Sequence, residues 1–303
     1  MTVRTAEVLV TGAGGWLGSS LVARLRQGQK LAVQALTRAD VDLSDEHQTR
    51  EVLSAVRPRV VVHLAASLKR ESDSESVTAQ WRDTFWAGRN MLQAAVAAGV
   101  RHLVLAGTME ELGDRGGVVA PDVTGEPRTT YGLCKALVRE VACFEARHAP
   151  VRVDWFRPTT VYGPGQRGKM LVPYACSSAS SGQKAWFTDG AQRRDFLFVD
   201  DLLEWLCLVV REEVGEFGER GVHLHHLGTG VGVAVRDVLE LISGELPSAD
   251  FELSALPSNA HEPTLQVVPS YRDSNPTLNQ WKPKIGWEEG ITRTAAWWRS
   301  QAL

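Results

Sequence analysis

The sequence predicts an α/β fold, a doubly wound parallel sheet with a smaller C-terminal lobe. From residue 7, short β-branched apolar runs alternate with longer amphipathic stretches, the pattern of successive βαβ units. A glycine-rich turn, Thr11-Gly12-Ala13-Gly14-Gly15-Trp16-Leu17-Gly18, follows the first apolar run and opens the first amphipathic stretch. A length of 303 residues accommodates one large α/β unit and a lobe beside it.

In chain order, strands are expected at 7–11, 31–37, 60–64, 101–107 and 151–156, and helices between them at 16–27, 45–56, 77–98 and 130–148. Right-handed crossovers bring the carboxyl ends of such strands to one edge, where ligands of doubly wound sheets bind. Gly12, Thr108 and the helix containing Tyr131 fall on that edge. Past Phe156 the alternation stops and Gly, Pro and Ser accumulate, as in Pro164-Gly165 and the run 177–182. A helix is expected at 199–210, a strand at 223–227 and a helix at 235–246. The stretch 247–283 holds six prolines and reads as loop, with Trp281, Trp287, Trp297 and Trp298 packing the end down.

Hydrophobic content of 44%, charged content of 23% and a formal charge of −3 make no electrostatic case for nucleic acid or an anionic membrane. The N-terminus passes through Arg4 and Glu7 directly into Val8-Leu9-Val10, so a cytoplasmic protein is expected. No apolar stretch approaches the roughly 20 residues that span a bilayer. Cys134, Cys143, Cys176 and Cys207 are scattered without C-x-x-C or His pairing; buried, reduced thiols are expected, with no metal site and no disulfide.

In the glycine turn, Gly12 allows the tight bend, Gly15 a close backbone approach to a pyrophosphate, and Gly18 close packing of helix on strand. Free N–H groups at the helix start then face the anion. Residues 1–164 are therefore expected to form a dinucleotide-binding Rossmann domain, with about 195–227 returning to it, and 165–194 with 228–303 a substrate-binding lobe. The second strand ends in Leu36-Thr37-Arg38 where NAD enzymes of this architecture carry an acid. Arg38 suits a 2′-phosphate, so NADP(H) is expected to be preferred, with NAD(H) possible.

Tyr131 and Lys135 stand at i and i+4 on the helix expected at 130–148. That spacing puts an ammonium beside a phenol and favours its ionised form. Free tyrosine titrates near pH 10, so the pairing is what would make it a proton relay at neutral pH.

With these residues placed, the chain resembles the extended short-chain dehydrogenase/reductase family, above all its NDP-sugar epimerases, dehydratases and ketoreductases. The resemblance rests on the glycine turn, Asp42-Leu43, His63-Leu64-Ala65-Ala66, Thr108, Tyr131 with Lys135, the run Phe156-Arg157-Pro158-Thr159-Thr160-Val161-Tyr162-Gly163-Pro164-Gly165 and Arg194-Asp195-Phe196-Leu197-Phe198-Val199-Asp200-Asp201. Leu227-Gly228-Thr229-Gly230 and Ile285-Gly286-Trp287 extend it over nearly the whole chain. It implies cofactor contacts at Gly12, Gly15, Trp16, Leu17, Gly18, Arg38, Asp42, Leu43, Leu64, Ala65, Ala66 and Pro158. By the same resemblance Tyr131 exchanges a proton with the sugar oxygen, Lys135 holds the nicotinamide ribose, and Thr108 hydrogen-bonds the same oxygen.

Departures narrow the chemistry. Sugar 4,6-dehydratases resemble Thr-Asp-Glu where this chain has Thr108-Met109-Glu110, and a thioether donates no proton. Glu110 is left either for polar contact with substrate or for binding backbone N–H groups in its loop. Thr84 stands where many relatives have Asn in the central helix, and His226 where many have Asn before the Leu-Gly-Thr-Gly turn. His226 is expected to be a solvated or core histidine.

On the substrate side, Arg167, Lys169, Arg193 and Arg194 supply local cations for a diphosphate, Arg194 by resemblance and with an ion pair to Asp200 or Asp201 as its alternative. Arg272 is a further phosphate candidate, and Trp186 with Phe187 is either a stacking wall for a base or lobe core. The expected activity is NADPH-dependent reduction of a keto group on a nucleotide-diphosphate deoxysugar. Alternatives are an NAD-dependent NDP-sugar epimerase, a reductase of a smaller carbonyl compound, or a silent NADP-binding regulator. Relatives pair helices equivalent to 77–98 and 130–148, so a homodimer is expected.

Overall fold

The computed structural model describes residues 6–28, 30–67, 69, 71, 73–215, 220–257, 265–273 and 276–301. The first half of the chain runs β1 (Val8–Thr11), α1 (Trp16–Gly28), β2 (Val33–Leu36), α2 (Glu46–Val56), β3 (Val60–His63), α3 (Ser74–Gln80), a π-helical turn (Trp81–Trp86), α4 (Ala87–Ala97) and β4 (His102–Ala106). A 3₁₀ segment (Met109–Leu112), β5 (Gly117–Val118), α5 (Thr130–His148), β6 (Arg152–Pro158) and β7 (Thr160–Tyr162) follow. Then come α6 (Leu171–Ser181), β8 (Lys184–Trp186), β9 (Arg193–Phe198), α7 (Val199–Gly215), β10 (Gly221–Leu227), β11 (Gly232–Ala234), α8 (Val235–Glu245), β12 (Asp250–Glu252), β13 (Leu265–Val267) and α9 (Trp287–Gln301).

The main sheet has the order β10-β6-β4-β3-β1-β2 and is parallel throughout. The chain moves outward from β1 to β2 and then crosses back to β3 on the other side of β1. The switch point therefore lies beyond the carboxyl ends of β1 and β3. Alternation along each strand divides the core into two layers. Val8, Val10, Val60, Val62 and Val104 face α1 and α7, meeting Leu21, Leu25, Leu202, Trp205 and Leu206. Leu9, Val61, Leu103 and Leu105 face α2, α4 and α5, meeting Val52, Leu53, Met91, Leu92 and Val138.

The helix expected at 77–98 starts earlier, at Ser74, and contains the π-helical turn. Its start is set by Asp73, whose side chain caps Ser76 N. The 247–283 region is less irregular than its prolines suggested: β12 pairs with β8, and β13 pairs with β9 and β5. Tertiary pairing there overrides local composition. A third cluster joins Tyr162, Phe196, Phe198, Val238, Ile242, Ile291 and Trp298. Trp281 and Trp298 are buried, and Trp287 and Trp297 are partly so. Cys134 and Cys176 are buried as expected, whereas Cys143 and Cys207 are only partly covered.

A polar cluster centred on Asp154 is sealed inside the main sheet. Asp154 accepts from Arg152 Nε and Nη2 at 2.8 and 2.9 Å and is bonded to His102 Nε2 and His225 Nε2 at 2.5 and 2.7 Å. Burial alone would raise its carboxyl; the bonds from the two histidines outweigh that and hold it well below the usual carboxylate range. Among the described residues, no helix is long and apolar enough to cross a membrane.

Candidate active site

The turn after β1 can be built only with glycine at its two ends. Gly12 has φ +67°, and a Cβ there would lie 2.8 Å from Ala65 N and 2.9 Å from Leu64 C. A Cβ on Gly18 would lie 2.2 Å from Gly12 O. The turn and the loop after β3 thus touch backbone to backbone. Thr11 Oγ1 adds a bond to His63 Nδ1 at 2.8 Å and accepts from Ala65 N at 3.4 Å. Trp16 Nε1 donates to Pro164 O at 2.8 Å, tying the turn to the loop after β7. The first turn of α1 carries no acid, so its open N–H groups and dipole favour an anion. These features fit the pyrophosphate of a dinucleotide.

Lys135 is only 4% exposed. Its Nζ donates to Ala106 O at the end of β4, at 2.7 Å, and lies 5.8 Å from the centroid of the Tyr131 ring. The neighbouring charge and burial keep His63 neutral: desolvation, then the Lys135 ammonium, push its pKa down to about 3.

Helix α5, which carries Tyr131, begins at an N-cap that is itself bonded to Glu110. Thr129 Oγ1 accepts from Gly132 N at 3.0 Å and donates to Glu110 Oε2 at 2.6 Å. Thr108 caps the 3₁₀ segment, accepting from Glu110 N at 3.2 Å, while its own N–H donates to Glu111 Oε1 at 2.9 Å. That reciprocal pattern is a capping box. A Cβ on Gly132 would lie 2.5 Å from Glu110 O, so the 3₁₀ segment rests directly on the first turn of α5. Met109 turns away into an apolar cluster with Leu112, Val119 and Val268. Thr84 is buried in the π-helical turn, where its Oγ1 accepts from Ser67 N at 3.1 Å and so holds the loop after β3.

Glu111 is a residue that the sequence did not single out. It is buried and accepts from Trp155 Nε1 at 3.1 Å and from Arg157 Nε and Nη2 at 2.9 Å. Arg157 Nη1 in turn donates to His226 Nε2 at 3.2 Å, and His226 Nδ1 donates to Val119 O at 2.8 Å. His226 is therefore a core residue that anchors the strand beneath the loop. The available signal was Arg157, a charge directly after the apolar pair Trp155-Phe156 near the end of the strand run.

A cavity of about 1180 Å³ opens beside Glu110; Thr108, Tyr131 and Lys135 are not among its lining residues. It is bounded by Arg38, Ala66, Arg82, Asp83, Glu110, Arg167 and Lys169, among others, so it brings together five of the expected site residues, Arg38, Ala66, Glu110, Arg167 and Lys169. Arg167 lies 5.5 Å from the centroids of both Trp297 and Trp298 on α9. Arg38 forks onto Asp83 at 2.8 and 3.1 Å, so the guanidinium expected for a 2′-phosphate already faces a carboxylate.

Arg194 and Arg272 do not line this cavity. Arg194 Nη1 donates to Arg193 O at 2.8 Å, while Asp200 pairs with Arg24 and Asp201 accepts from Lys284 N and Ile285 N. Arg272 is exposed. Asp42 accepts from Ser44 N and Oγ at 3.0 and 2.7 Å, and Leu43 beside it is buried. Pro158 ends β6 partly exposed. Trp186 and Phe187 part company: Trp186 is exposed, whereas Phe187 packs in the lobe core against Tyr174 and Phe251.

Known proteins resemble this chain over most of its length. A UDP-glucose 4-epimerase of Mycolicibacterium smegmatis is 25% identical over 334 residues, covering 98% of this chain and 99% of that protein. A mouse dTDP-D-glucose 4,6-dehydratase is 25% identical over 97% of this chain and 88% of its own length. The solved structure of MoeE5 in complex with UDP-glucuronic acid and NAD superposes with a TM-score of 0.84 at 26% identity, covering 97% of this chain and 99% of that one. Residues 8–220 match the NAD dependent epimerase/dehydratase family as a unit. The chain belongs to that family, within the extended short-chain dehydrogenases/reductases.

Proposed function

We propose that this protein transfers hydride at one carbon of a nucleotide-diphosphate sugar without eliminating water, and that the net reaction is reduction of a keto group on a deoxysugar. The observation that carries this reading is Met109. Elimination needs an acid and a base beside the reacting carbons, and position 109 is a thioether withdrawn into an apolar cluster, which leaves Glu110 alone.

When bound, the nicotinamide supplies the hydride. The backbone at Gly12, Gly15 and Gly18, with Trp16 and Leu17, would hold the pyrophosphate. Lys135 would hold the ribose through an ammonium of which Ala106 O takes one donor. Tyr131 delivers the proton to the sugar oxygen. Thr108 Oγ1, which accepts from Glu110 N, keeps its own O–H to donate and is the proposed donor to the same oxygen. Arg167, backed by two indole rings, is the proposed contact for the diphosphate from the lobe formed by 165–194 and 228–303, with Arg194 and Arg272 as resemblance-based candidates.

Arg38, with Arg82 beside it, supports NADPH as the reductant. The Asp83 carboxylate bonded to both favours NAD instead, and with it a second reading, an NDP-sugar epimerase. We further propose a homodimer, supported by Trp86, Leu133 and Phe144, which are large, apolar and exposed on the helices that relatives pair.

Turnover with TDP-, UDP-, CDP- and GDP-ketosugars discriminates these readings. Reduction predicts NADPH or NADH consumed in step with product. In Tyr131→Phe, cofactor binding is expected to stay unchanged while kcat falls by about 10²–10⁴. NAD retained stoichiometrically through purification, with neither NADPH nor NADH consumed on any ketosugar, overturns reduction in favour of epimerisation.

A further inference from the structure

Where β2 ends, the cavity wall carries two guanidinium groups and a carboxylate bonded to one another. Arg38 reaches Asp83 Oδ2 and Oδ1 at 2.8 and 3.1 Å. Arg82 grips the same carboxylate through Nε and Nη2 at 2.7 and 3.0 Å. All three residues line the cavity. Arg82 and Asp83 lie in the π-helical turn, a local irregularity that recurs at functional sites. The Asp83 side chain is 15% exposed, against 66% for Arg38, so the acid is the fixed member of the pair.

In a doubly wound sheet the end of the second strand faces the adenosine ribose of a dinucleotide. An acid there accepts from the 2′-hydroxyl; an arginine accommodates a 2′-phosphate. This chain offers both kinds of group, with the acid arriving from a different element, distant in sequence from β2.

We propose that Asp83 sets the cofactor selectivity of this protein: it replaces the strand-end acid as acceptor for the ribose hydroxyls and, by holding Arg38 and Arg82, opposes a 2′-phosphate. The proposal rests on the reading that a dinucleotide occupies the glycine turn; it does not depend on which sugar reacts. A 2′-phosphate gains the two cations only by displacing Asp83 and then sits beside a like charge. A 2′-hydroxyl bonds the carboxylate where it stands. Burial alone would raise the Asp83 carboxyl, but the bonds from Arg82 and Arg38 hold it below the usual carboxylate range, so the opposing charge is present throughout the neutral pH range.

The test is direct titration of the full-length wild type, Asp83→Asn and Arg82→Ala with NADH and with NADPH, without sugar, following nicotinamide fluorescence. Asn preserves the shape of Asp83 and removes its charge. Asp83→Asn is expected to lower the Kd for NADPH by about tenfold or more and to raise that for NADH. Arg82→Ala is expected to weaken NADPH and leave NADH within about twofold. An NADPH-to-NADH Kd ratio in Asp83→Asn that stays within about twofold of the wild-type ratio overturns the proposal. Binding of neither cofactor by the wild type overturns the cofactor reading and this proposal together. The expected shift in a protein that reduces no ketosugar upholds the Asp83 assignment while the reaction proposed above fails.

Discussion

Both ring nitrogens of His226 are committed, Nδ1 to Val119 O and Nε2 to the Arg157 guanidinium. Burial, reinforced by the Arg157 charge and partly offset by the bond to Val119, pushes its pKa from 6.5 down to about 4. Its folded pKa is depressed, so the unfolded chain takes up a proton near pH 6.5 while the folded protein resists until about 4. Stability is therefore full above pH 6.5 and declines as the pH falls toward 4, by an amount on the order of 3 kcal/mol. His63 extends the same loss toward pH 3. In His226→Asn the decline of Tm between pH 6.5 and 4 should be shallower than in the wild type. An identical slope would remove His226 as its source. Glu111 marks the limit of what residue types reveal. It is chemically identical to its neighbour Glu110, and only the Thr108 cap decides which carboxylate is buried under Arg157 and which lines the cavity.

Between elements, the contact of α5 with the 3₁₀ segment couples Tyr131 to Thr108 and Glu110. Replacing glycine by alanine inside a helix ordinarily stabilises it by about 1 kcal/mol. At Gly132 the added methyl would sit 2.5 Å from Glu110 O, a backbone atom that cannot swing aside. Overpacking should win, so Gly132→Ala is expected to lower stability by about 1–3 kcal/mol and to reduce kcat as the loop is pushed off the helix. A variant with wild-type Tm and turnover would contradict this coupling.

At this scale the sequence was most readable in β1, β3 and β4, whose buried apolar runs have no competing helical interpretation. The π-helical turn was invisible because Trp81–Trp86 contains neither Gly nor Pro and keeps ordinary helix formers on both sides. The Arg38 to Asp83 bond was equally hidden: it spans 45 positions and depends on the fold bringing the π-helical turn beside the residues that follow β2.

For the molecule as a whole, Leu133 and Phe144 lie three turns apart on one face of α5, and Trp86 belongs to the π-helical turn packed against it. Exposed apolar groups grouped in this way mark association surfaces. Phe144→Glu is expected to convert a dimer to a monomer in light scattering, and a dimer of unchanged mass would rule out this face. The sheet order carries a different consequence, for synthesis. β6 is paired on one side by β4 and on the other by β10, which the ribosome makes only after β7, β8, β9 and the helices among them. Until residue 227 emerges, the nascent sheet ends at Arg152–Pro158 in an unpaired edge whose residues are buried in the finished fold, which leaves that edge open to non-native strand pairing during synthesis.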